Sequence, residues 1–125
     1  MSWIQLVGIT GVFGFLSVAL GAFGAHALKS RWTEYQLDIF QTATFYMITH
    51  AIALGVLAAF LSRSESFYLK LSAYSMLCGI CIFSGSLYLL SATQIKMFGA
   101  ITPIGGVALL LAWLFWIIAA LKGFQ

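Results

Sequence analysis

The stretch PIGGVALLLAWLFWIIAAL, Pro103 to Leu121, runs 19 residues without a charged side chain. As a helix rising 1.5 Å per residue it reaches about 28 Å, close to the ~30 Å hydrocarbon thickness of a bilayer. The rest of the chain has the same character. Of its 125 residues 62% are hydrophobic and 7% charged, where a soluble domain has about 25% charged residues. Three further apolar stretches stand between the charged clusters, giving expected spans at about 3–26, 41–61, 68–91 and 103–121. The connections KSRWTEY, RSES and ATQIKMFG are short, so consecutive helices run antiparallel and both termini share one side. The expected fold class is all-α, an integral membrane four-helix up-down bundle with short loops, in one transmembrane domain over residues 1–125.

Ala25-His26-Ala27 has the A-x-A form of a signal cleavage site. No Lys or Arg precedes it and the apolar run is far longer than a signal core, so the first segment is expected to be retained. Orientation is read from the loop cations. Arg63, Lys70 and Lys122 on the terminal side balance Lys29, Arg31 and Lys96 on the other. Either the chain inserts one way for reasons outside this count, or it inserts both ways. A net charge of +3 split so evenly makes no nucleic-acid patch; the cations are expected to meet lipid phosphates.

Helix 1 has Thr10, Gly14, Ser17, Gly21 and Gly24 at spacings of four, three, four and three. These fall on one stripe, where missing side chains let a second helix approach. The stripe is expected to be an interhelical seam, with a ligand groove as the alternative. His26, at the helix end, is expected to be an interfacial plug. In helix 2, Glu34, Asp38, Thr42, Tyr46 and His50 recur every four residues, flanked by Gln41 and Thr49. A polar line then descends toward the glycines of helix 1, with Thr33 as N-cap before it. His50 lies ~14 Å beyond Gln41, and an ionisable group at that depth is a functional candidate. The alternative is a neutral imidazole bonded to a Thr, a Tyr or a helix 1 carbonyl. The candidate polar site is therefore His50, Tyr46, Thr49, Gln41 and His26.

Helix 3 contains Cys78-Gly79-Ile80-Cys81. Mid-span thiols are poorly placed to ionise or to meet a soluble partner, and no second pair exists to relay electrons. They are expected to be small packing residues. Ser84, Gly85 and Ser86 form another expected close-contact point. Helix 4 is expected to open at Pro103, capped by Thr102, because the first helical position has no N–H bond to lose.

Four blocks in order, LGAFGAHALK at 20–29, FQTATFY with Thr49-His50-Ala51 at 40–51, FSGSLY at 83–88 and GAITPIGG at 99–106, resemble one family. It is the domain-of-unknown-function family 423, the small bacterial membrane proteins of the YgdD and YwdK type, to which human transmembrane protein 256 is also similar. The resemblance implies four helices in the bacterial inner membrane and, through a basic C-terminal tail, cytoplasmic termini. It supplies no activity and no catalytic residue to carry over, and no cofactor or metal is expected.

Three readings of function follow. The first is a structural or partner-binding membrane component whose small-residue seams hold a homo-oligomer or a membrane-protein partner. The second is a small dual-topology or oligomeric channel or transporter, or a lipid-binding protein, using the polar face of helix 2. The third is an enzyme, for which membrane thiol oxidation is the one motif with a name; the balance leans against it.

Overall fold

The computed structural model describes residues 1–124. They form four α-helices, α1 (Trp3–Phe23), α2 (Glu34–Leu61), α3 (Phe67–Thr93) and α4 (Lys96–Leu121), with a π-helical turn, Gly24–Leu28, closing α1. Each helix is long and apolar enough to cross a membrane, and the chain is an all-α multi-pass membrane protein.

Two helix starts follow directly from local chemistry. The Ser2 hydroxyl accepts from the Gln5 amide while the Gln5 side chain accepts from the Ser2 amide. Thr33 and Gln36 repeat this capping box at α2, each box satisfying amides that a helix start leaves without partners. Thr33 is therefore the cap expected of it, but α2 runs unbroken from Glu34, seven residues before the expected span.

The expected start of α4 needs correction. Gln94 takes a left-handed conformation, φ 58°, and reverses the chain, so that α4 begins at Lys96 and Pro103 stands inside it. Thr102 is no cap; its hydroxyl donates to the Phe98 carbonyl. An interior proline removes one helical hydrogen bond and crowds the carbonyl four residues back. Here that residue is Gly99, and the extensive pairing of α4 with α3 holds the helix through the break.

α3 is the central helix. Ala73, Met76 and Ile80 of α3 pack with Leu54 and Leu57 of α2 and Leu109 of α4. Glycine sets the close approach of α3 and α4. A Cβ on Gly105 would overlap the backbone nitrogen of Phe83, and one on Gly79 would come within 2.5 Å of Leu109 Cδ2. Buried serines supply the directional ties that lipid-embedded helices rely on. Ser72 donates to the Ala112 carbonyl at 2.7 Å, Ser84 to the Ala43 carbonyl at 2.8 Å, and Ser86 pairs with Thr102 at 2.7 Å.

The bundle is open. Among the described residues no Cα of α1 lies within 8 Å of α3 or α4, and none of α2 within 8 Å of α4. The close backbone approach of α1 is therefore to α2. Gly24 seats the Phe40 ring, Gly21 faces Thr44, Thr10 lies against Gly55, and Ser17 is buried. Gly14 takes no part: a Cβ there would meet nothing within 4 Å, because a helix closely approached by one neighbour uses only a narrow arc. Gly85 likewise stands clear, turned about 100° from Ser84 and Ser86 on either side.

Candidate functional site

α2 and α4 flank α3 and point the same way through the up-down topology. His50 lies 16 residues after Glu34, and Trp113 lies 17 after Lys96, so the two reach the same depth. The Trp113 indole Nε1–H donates to His50 Nε2 at 3.2 Å. An indole can only donate, so Nε2 accepts and the imidazole proton sits on Nδ1. That proton goes to the Tyr46 carbonyl at 2.8 Å. His50 is a neutral, 8% exposed ring with both nitrogens engaged. Its carbonyl partner belongs to its own helix and its second partner to α4; of the expected partners, the Thr49 hydroxyl stands 3.3 Å from Nδ1 and no helix 1 carbonyl is bonded among the described residues.

The reason lies in helical geometry. Steps of four residues advance about 40° around a helix of 3.6 residues per turn. Over four steps, from Glu34 to His50, the polar line turns through about 160°. Asp38 and Thr42 are consequently exposed, Tyr46 is half-exposed and His50 is turned in toward α4. The side of α2 that meets the α1 glycines is instead that of Phe40 and Thr44, whose hydroxyl pairs with that of Tyr88 at 2.7 Å.

Beside His50 lies a cleft of about 690 Å³ between α2 and α4, floored by Phe83 of α3. Tyr46 forms much of its α2 wall; the ring stacks on His50 with centroids 5.6 Å apart and lies 4.4 Å from Phe83. Thr49 also lines it, its hydroxyl turned back to the Phe45 carbonyl at 2.8 Å. Gly106, Val107 and Trp113 form the α4 wall. Phe45, Val107 and Leu110 are 63%, 56% and 71% exposed near the middle of spanning helices, so the cleft opens sideways to hydrocarbon. Its volume falls within the range of small-molecule sites, about 300–1,000 Å³.

Of the five candidate residues, Tyr46, Thr49 and His50 come together at this cleft. Gln41 stands nearer the membrane edge, on a shallow depression shared with Asp38, Thr42, Phe45 and Tyr46. His26 is exposed on the π turn after α1, away from the cleft. Cys78 and Cys81 are corrected as well: both are exposed on the outside of α3, and the inward residues of that motif are Gly79 and Ile80. The residues missed were Trp113 and Phe83. An indole N–H in an apolar span needs an acceptor, which was the available signal for Trp113; Phe83 had none.

Comparison with known proteins gives a family and no activity. Residues 20–106 match the family described as "Protein of unknown function (DUF423)". The chain is 42% identical over 108 residues to the UPF0382 membrane protein YwdK of Bacillus subtilis, covering 86% of this chain and 88% of that one. It is 40% identical over 107 residues to the UPF0382 membrane protein SERP0230 of Staphylococcus epidermidis, covering 86% and 87%. It is 34% identical over 111 residues to the UPF0382 inner membrane protein YgdD of Escherichia coli, covering 89% and 85%. No solved structure matches it.

Proposed function

The chain belongs to the DUF423 family, whose description names no activity, and from its own geometry we propose that it is a lipid-binding component of the inner membrane. The α2–α4 cleft takes one acyl chain. The observation that supports this is the combination of a mid-membrane, laterally open cleft with a histidine whose nitrogens are both already bonded. His50 has no free lone pair or proton for a metal, a substrate or a proton path. Its work is to tie α2 to α4 beneath the cleft and keep the two walls apart at a fixed distance. What the cleft offers a ligand is apolar wall, and the ligand of that chemistry always present is lipid.

The test is lipid retention. Protein purified in mild detergent is expected to keep about one phospholipid per chain, and Gly106→Leu, which fills the cleft, is expected to lose it. Equal phosphorus per chain in both proteins would count against the reading.

Association through α1 is a second reading with its own support. Gly8, Gly11 and Gly14 would each admit a Cβ with nothing within 4 Å, and among the described residues α2 is the one long helix whose Cα atoms come within 8 Å of α1. Cross-linking in membranes is expected to trap a dimer that Gly11→Leu abolishes; a monomer in both would remove this reading.

A further inference from the structure

Resting on the lipid-binding reading, we propose that the bound lipid is a phospholipid with a primary ammonium headgroup, its chain in the α2–α4 cleft and its ammonium on Asp38. The cleft and the shallow depression above it share Phe45 and Tyr46, so the two adjoin on the surface of α2. Asp38 lies 12 residues before His50, about 18 Å along the helix. Half of a ~30 Å hydrocarbon core is ~15 Å. With α2 centred in the membrane, Asp38 stands at the hydrocarbon edge and His50 near the midplane, the length of one leaflet's chain.

Charge then selects the head. Asp38 is exposed and makes no ion pair among the described residues. A carboxylate at that level favours a cation able to donate hydrogen bonds and disfavours a headgroup whose only charge is its phosphate. Choline has a cation without N–H donors, so it satisfies the charge but not the hydrogen bonds. Lys29, Arg31 and Lys96 belong to the same end of the bundle and suit the phosphate of the same lipid. Between Asp38 and the cleft, Gln41 and then Tyr46 line the α2 side, about 4.5 Å and 12 Å below Asp38 along the helix.

The experiment is native mass spectrometry of the full chain incubated with equimolar phosphatidylethanolamine, phosphatidylcholine and phosphatidylglycerol, for the parent, Asp38→Asn and Gly106→Leu. One lipid per chain is expected, enriched in phosphatidylethanolamine. In Asp38→Asn the enrichment is expected to fall roughly two- to fivefold, the range of a solvated ion pair, with total lipid unchanged. Retention blind to headgroup, or an enrichment that survives Asp38→Asn, overturns the headgroup assignment and leaves the cleft reading standing. Lipid retained in Gly106→Leu overturns the cleft reading itself. Val107→Trp, at an exposed position of the same wall, takes the place of Gly106→Leu should that variant lose its helical circular dichroism.

Discussion

The indole N–H of Trp113 points at Nε2 of His50 across 3.2 Å, joining two helices whose Cα atoms do not come within 8 Å of each other among the described residues. Trp113→Phe keeps the aromatic wall and removes the donor, leaving a buried acceptor unpaired. The expected loss is about 0.5–1.5 kcal/mol. A double-mutant cycle with His50→Ala, read by unfolding in mixed micelles, is expected to return a coupling of that size. Additive single mutants would mean that the bond contributes nothing.

Adjacent glycines on α4 are expected to behave in opposite ways. Gly105→Ala drives a methyl into the Phe83 backbone and should cost about 1–3 kcal/mol. Gly106→Ala meets Phe83 ring atoms at 3.8 Å, an ordinary contact, and should leave stability within about 1 kcal/mol of the parent, on the favourable side. Thermal unfolding of the two variants checks the register of α3 on α4.

Cys78→Ala and Cys81→Ala, alone or together, are expected to change stability by less than about 0.5 kcal/mol, because both side chains lie on the outer face of α3. A larger loss in the same unfolding assay would mean that these thiols are covered in the membrane.

At the other end of the bundle, Lys70 beside Glu65 holds that carboxyl below its ordinary range. A carboxylate lowered in the folded state adds stability above its unfolded value, about 4.3, and loses it as pH falls through the folded value. Glu65→Gln is therefore expected to lower the unfolding midpoint slightly at pH 7 and to match the parent in strong acid. Since the pair is solvent-exposed, added salt should shrink the difference at pH 7.

The four spans were legible because apolar length is a coarse property that no neighbour has to confirm. Thr33 was legible for a similar reason, since a capping box is written within four residues. Pro103 misled because local preference was overridden by packing on α3, which depends on Gly79 and Gly105 being opposite the right atoms. The polar line of α2 misled because a four-residue repeat looks like a face over two turns and becomes a spiral over four. Cys78 and Cys81 drew attention by their chemistry, while the residue that mattered between them was the glycine. The His50–Trp113 bond needed two helices that are not neighbours in sequence to be set at equal depth, which no single segment records.

The most direct test of the lipid cleft is fluorescence quenching with Trp113 as the sole tryptophan, Trp3, Trp32 and Trp116 having been changed to Phe. Reconstituted in vesicles with mid-chain dibrominated phosphatidylethanolamine in a non-brominated background, Trp113 is expected to be quenched in two phases. The first should saturate at a low brominated fraction and be absent in Gly106→Leu, marking one lipid held more tightly than the bulk. A single phase that follows the bulk brominated fraction and is unchanged by Gly106→Leu would contradict a lipid-holding cleft.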